Sequence, residues 1–78
     1  MVFEKVQEML AEQLEMDPAK ITMDTDILGE LGADSLDLVE LIMGVENEYG
    51  IVITDEAVHN FKTIGDVVKF IEEYLDRG

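Results

Sequence analysis

Residues 34–50 read Asp34-Ser35-Leu36-Asp37-Leu38-Val39-Glu40-Leu41-Ile42-Met43-Gly44-Val45-Glu46-Asn47-Glu48-Tyr49-Gly50, and their periodicity decides the fold. Asp34 suits a helix N-cap, and Asp37, three residues on, complements the positive end of the helix dipole. Gly50 suits the left-handed residue just past a helix end. Wound at about 100° per residue, the segment carries two apolar stripes. Leu38, Leu41, Ile42, Val45 and Tyr49 form one; Leu36, Val39 and Met43 form the other, centred roughly 140° away. A bundle helix needs only one stripe to reach the core. Glu40 and Glu46 flank the second stripe and Asp37 lies near it, which fits an exposed apolar strip framed by carboxylates. In such a strip apolar contacts supply affinity while the acidic frame steers a basic partner. The other arrangement buries both stripes, one of them beneath the loop that precedes the helix.

Toward the N-terminus, Val2 to Glu15 places Phe3, Val6, Leu10 and Leu14 at helical spacing. Glu4, Glu8 and Glu12 line another face; like charges four apart weaken an isolated helix, so tertiary packing must hold it. Asp17-Pro18 reads as a cap with Pro at the first position of a short helical turn. Residues 19–33 then form a long connection whose apolar members, Ile21, Ile27, Leu28 and Leu31, predict a loop packed down on the core. Toward the C-terminus, Thr54-Asp55-Glu56 opens a short helix that ends near Phe61. A last helix begins at Thr63, which caps while Asp66 reaches back, and its inner stripe is Ile64, Val67, Val68, Ile71 and Leu75. The expectation is an all-α protein: a small four-helix bundle of three longer helices and a short third one, with a long loop between helices one and two.

The chain has 78 residues and a net charge of −14, from 19 acids against 5 Lys and Arg. That length predicts a single domain, residues 1–78, with a thin core and little room for a deep cleft. At 47% hydrophobic it has too much Leu, Ile, Val and Met for disorder. With no Cys, disulfides and thiolate metal sites are excluded. The acidity argues against nucleic acid and anionic membranes, whose charges it repels. Neither a basic region followed by an apolar run nor a stretch approaching the roughly 20 apolar residues of a membrane span occurs, so a soluble cytoplasmic protein is expected, with an organelle protein whose transit peptide is removed as the alternative; a monomer is expected. The charge is also concentrated: from Ile21 to Phe61 no Lys or Arg occurs in 41 residues, ten of which are Asp or Glu. A one-signed field repels itself, and tolerating it suits a partner of opposite field. This favours the exposed reading of the second stripe over the buried one.

At the head of the decisive helix stands Gly32-Ala33-Asp34-Ser35-Leu36. Free backbone N–H groups and the dipole favour a phosphate there, so a serine at this place carries a phosphate ester at little electrostatic cost. The plainer role for Ser35 is to cap the helix.

These residues resemble a known family. Gly32-Ala33-Asp34-Ser35-Leu36-Asp37, followed by Leu38-Val39-Glu40-Leu41-Ile42-Met43, is similar to the signature of the acyl carrier proteins of dissociated fatty acid synthesis, and the likeness extends over the whole chain. The resemblance implies that Ser35 is esterified by 4′-phosphopantetheine, transferred from coenzyme A by a Mg²⁺-dependent phosphopantetheinyl transferase. The terminal thiol of that arm then carries acyl chains as thioesters, which explains how a Cys-free chain does thiol chemistry. It further implies that Asp34, Asp37, Glu40 and Glu46 meet Lys and Arg on the transferase and on fatty acid synthesis enzymes, with Leu36, Val39 and Met43 as the apolar contacts. By the same resemblance the acyl chain is lined by Ile27, Leu41, Val45, Ile53, Val58 and Phe61, whose plainer role is ordinary core. Gly44 eases close packing where many carriers have Ala. Asn47 and His59 stand where relatives often have acids, and His59, the only histidine, is read as an exposed residue of the short helix.

Three other readings compete. Asp24-x-Asp26-x-Leu28-Gly29 begins like a calcium loop, but Leu28 and Ser35 fall where ligands are required, so no metal is expected. A hydrolase built on Ser35, His59 and an Asp lacks the Gly-x-Ser-x-Gly turn and a pocket, so no catalytic residue is assigned and the chain is read as no enzyme. An acidic interaction module without a prosthetic group is the competitor from another class; a polyketide-pathway carrier is the competitor within the family.

Overall fold

The computed structural model describes residues 2–29, 32 and 34–77, the last by its backbone alone. Leu31 of the expected packed loop and Ala33 of the serine motif lie outside the described residues. Four helices follow in order: α1, Val2–Leu14; α2, Ser35–Tyr49; α3, Asp55–His59; and α4, Ile64–Arg77. A single 3-10 turn, Pro18–Lys20, stands between α1 and α2 with Asp17 as its cap. No strand occurs among the described residues, and the four-helix bundle with a short third helix matches the expectation.

Each helix begins and ends for a local reason. In α2 the Asp34 side chain accepts from the Asp37 N–H at 3.0 Å and the Asp37 carboxylate accepts from the Asp34 N–H at 3.1 Å, a reciprocal box that satisfies two otherwise orphaned donors. Gly50, with φ +66°, turns the chain out of α2. Thr54 caps α3 through the Ala57 N–H. Thr63 caps α4 through the Asp66 N–H while the Asp66 carboxylate accepts from the Lys62 and Thr63 N–H groups. The helix α1 stops one residue earlier than its periodicity implies, because Glu15 adopts φ +54° and the Met16 N–H closes back onto the Ala11 carbonyl at 2.9 Å. The helix α3 also ends sooner, at His59; Phe61 is buried from the connection that follows it.

The core is made of Val6 and Leu10 of α1, Leu41 and Val45 of α2, and Ile64, Val67, Val68 and Ile71 of α4, joined by Ile21 and Ile27 from the long loop. Burying each such side chain is worth about 1.5–3 kcal/mol, which is what holds α1 helical against its own glutamates. Two expectations are corrected. Leu75 was placed on the inner stripe of α4, yet it is exposed; it lies one turn beyond Ile71, the last buried residue of that stripe. Leu28 was placed under the loop, yet it is exposed and faces the space beside α2 instead.

The long loop is stitched to the start of α4 by backbone hydrogen bonds: Ile27 N–H to the Lys62 carbonyl, Ile64 N–H to the Thr25 carbonyl and Gly65 N–H to the Met23 carbonyl, at 2.8–3.0 Å. An isolated antiparallel bridge pairs Asp26 with Thr63 at the same place. Thr25, only 4% exposed, satisfies its hydroxyl on Thr22. From the other side, the Gln7 amide donates to the carbonyls of Pro18 and Ile21, fixing the loop's first half to α1. These bonds brace residues 18–27 against α1 and the start of α4.

Candidate functional site: the head of α2 and the α2–α3 groove

Ser35 is the only serine of the chain and the first residue of α2. The capping role open to it in sequence belongs to Asp34, which leaves the Ser35 side chain exposed. Every threonine hydroxyl, by contrast, is engaged: Thr22 with Thr25, Thr54 with Ala57 and Thr63 with Asp66. At the first turn of a helix the N–H groups of Ser35 and Leu36 have no intrahelical acceptor, and the dipole's positive end lies beside the serine oxygen. Those N–H groups and the dipole favour an anion at this place despite the flanking carboxylates. The Gln13 amide of α1 donates to the Asp37 carbonyl at 2.8 Å, pinning this first turn against the bundle.

Ser35 borders a hollow of about 270 Å³ lined also by Leu28, Leu38 and Val39, and across it by Asp55, Val58, His59 and Phe61. A second hollow of about 160 Å³ continues along the same groove, between Val39, Ile42, Met43 and Glu46 of α2 and Ile53, Asp55 and Val58. The lining is mainly apolar, with the hydroxyl at one mouth. Of the residues assigned to an acyl lining in sequence, Val58 and Phe61 border the first hollow and Ile53 and Val58 the second. Ile27, Leu41 and Val45 are fully buried in the core and line neither. Leu28, Leu38, Ile42 and Asp55 line the groove without having been singled out for it; Leu38 and Ile42 carried the signal, since they edge the inner stripe on the side of Val39.

The second stripe of α2 is exposed, Leu36 by 64%, Val39 by 45% and Met43 by 56%, so the reading that buries both stripes is set aside. Asp34 and Glu40 are exposed around it and Asp37 is partly so. Glu46 differs: its carboxylate accepts from the Ile53 N–H at 2.8 Å and so ties the end of α2 to the segment entering α3.

The comparisons with known proteins bear on the chain as a whole. A family model described as a phosphopantetheine attachment site matches residues 4–71. The acyl carrier protein of Helicobacter acinonychis is 47% identical over 72 residues, covering 92% of each chain. That of Clostridium perfringens strain 13 is 45% identical over 76 residues, covering 97% of this chain and all of its own. A solved structure assigned as an acyl carrier protein of Mycobacterium tuberculosis superposes with a TM-score of 0.89 at 31% identity, over 95% of this chain and 99% of its own. The group such a domain takes is a covalent 4′-phosphopantetheine, and an exposed hydroxyl at a helix head beside an apolar groove fits it. In sequence and in fold, the chain belongs to the acyl carrier proteins.

Proposed function

We propose that Ser35 is the attachment residue and that the chain shuttles acyl groups among fatty acid synthesis enzymes without catalysing a reaction itself. The observation that carries this is the placement of the chain's only serine, uncapped and exposed, at the mouth of the apolar groove. When bound, the prosthetic group supplies a terminal thiol on which acyl chains travel as thioesters. The chain's own residues hold the phosphate at the α2 head, shelter apolar cargo and present a docking face. Ile53, Val58 and Phe61 border the sheltering groove, with Ile27, Leu41 and Val45 behind it as the wall that yields when a longer chain enters. At about 270 and 160 Å³ the hollows are smaller than the roughly 300–1,000 Å³ of sites for drug-sized ligands, so long cargo requires the groove to widen.

The docking face is Leu36, Val39 and Met43 framed by Asp34, Asp37, Glu40 and Glu46, and its partners are the transferase and synthesis enzymes bearing basic patches. The setting we infer is a single carrier domain working as a monomer in the cytoplasm. No described helix is long and apolar enough to cross a membrane. Incubation with coenzyme A, Mg²⁺ and a broad-specificity phosphopantetheinyl transferase tests the assignment by intact mass. The parent is expected to gain one phosphopantetheine and Ser35→Ala none. An unmodified parent, with the transferase active on a control carrier, leaves an acidic interaction module in its place. For the docking face, Glu40→Lys is the cleaner charge reversal, because Glu46→Lys also breaks the bond to Ile53. It is expected to weaken transferase binding and flatten its salt dependence.

A further inference from the structure

His59 is the only histidine, and between Ile21 and Phe61 it is the only side chain able to become a cation. It closes α3, is exposed, and lines the same 270 Å³ hollow as Ser35. Sequence reasoning set it aside as a surface residue; its place in the groove gives it a different meaning. A phosphodiester on Ser35 adds a full negative charge where Asp34 and Asp37 already flank the serine on α2. Asp55 lies in the same hollow, and Glu56 shares α3. From the loop, Asp26 has its carboxylate bonded to the Gly29 N–H. The nearest lysine in sequence, Lys62, lies beyond Phe61, outside the lining. Among the residues lining the hollow, the one charged group besides the imidazole, Asp55, is repulsive to the phosphate.

Imidazole is the side chain whose charge ordinarily changes between pH 5 and 8, and its cationic form offers ring N–H donors to an anionic oxygen. Both side chains border one hollow of about 270 Å³, and charges closer than a Debye length, about 8 Å at physiological ionic strength, interact with little screening. We infer that protonated His59 clasps a non-bridging oxygen of the phosphodiester on Ser35, laying the prosthetic arm along the α2–α3 groove and freeing it as the pH rises. The inference rests on Ser35 being the attachment residue. It makes His59 a positioning residue: it touches the link of the arm, not the thiol that carries cargo.

The test is phosphorus NMR on the modified full-length chain, its loading first verified by intact mass, between pH 5 and 8. Phosphodiesters do not titrate there and carboxylates ordinarily complete their titration below, so a neighbouring imidazole is what the resonance reports. The parent phosphorus shift is expected to move in step with the His59 ring proton signals, to move less in 0.5 M salt, and to stay flat in His59→Gln. Asp55→Asn, which removes the competing negative charge in the hollow, is expected to enlarge the movement. A flat phosphorus signal on a loaded parent overturns the clasp, as does movement that survives in His59→Gln. Failure of Ser35 to load is a separate result, read by mass alone, and it removes the clasp together with the attachment assignment.

Discussion

Glu15 and Gly50 occupy the same left-handed position at the ends of α1 and α2, with φ of +54° and +66°, but only one of them is glycine. A side chain with a Cβ is strained there, so the two positions predict opposite responses. Glu15→Gly is expected to raise stability by up to about 1 kcal/mol, and Gly50→Ala, which meets no atom within 4 Å, to lower it by about 1 kcal/mol through backbone strain alone. Thermal unfolding of both variants checks this; a destabilised Glu15→Gly contradicts it. At Asp66 the argument concerns protons. The backbone N–H of Lys62 first, and that of Thr63 second, hold its carboxyl below the usual carboxylate range. Folded protein thus binds that proton less readily than unfolded protein does. The ionised carboxylate stabilises the fold above the unfolded value near about 4, and the contribution disappears as the pH falls through the lowered folded value. Asp66→Asn is accordingly expected to melt lower than the parent at pH 7, with the gap closing as the pH is taken below about 4. A gap that stays constant across that range would contradict the linkage.

Among the elements, two glycines within helices separate packing from propensity. A Cβ at Gly44 of α2 meets the terminal methyl of Met9 at 2.7 Å, and the end of a methionine swings aside easily. A Cβ at Gly65 of α4 meets the Met23 carbonyl oxygen at 2.9 Å, and that carbonyl is the acceptor of the Gly65 N–H. Gly44→Ala is therefore expected to be neutral or stabilising by up to about 1 kcal/mol, while Gly65→Ala costs about 1–3 kcal/mol by prising the loop from α4. Equal melting temperatures for the two would refute the distinction. The contrast also marks what was legible in the sequence. Helices, caps and the double stripe of α2 are local patterns, so Asp34, Gly50, Thr54, Thr63, Leu36, Val39 and Met43 fell where periodicity put them. The attachment of the loop to α4, the Gln13 tie to α2 and the place of His59 beside Ser35 are meetings of distant segments. Periodicity has no term for these. Leu28 and Leu75 were misread for the same reason: an apolar residue at the right spacing is buried only if a neighbour reaches far enough to cover it.

At the scale of the whole molecule the field is nearly one-signed. The net charge is −14, and Lys5–Glu48, at 3.9 Å and with both side chains more than two-fifths exposed, is the one ion pair among the described residues. Such a pair offsets little, so the folded chain works against its own repulsion. Raising ionic strength, or adding Mg²⁺, is expected to raise the melting temperature by screening that repulsion; a melting temperature indifferent to salt would mean that the acids are too well spread to matter. The remaining consequence concerns α3. Its five residues include none that is buried, and a helix that short has little autonomous stability. Its anchors are the Thr54 cap, the Glu46 bond to Ile53 and Phe61 seated beyond its end. Amides of residues 55–59 are therefore expected to exchange with deuterium through a small local opening, while the buried stretches of α1 and α4 wait for global unfolding. The wall of the groove is then the cheapest foldon in the molecule. A short guest is admitted by loosening that seam, and only a longer one presses into the core behind it.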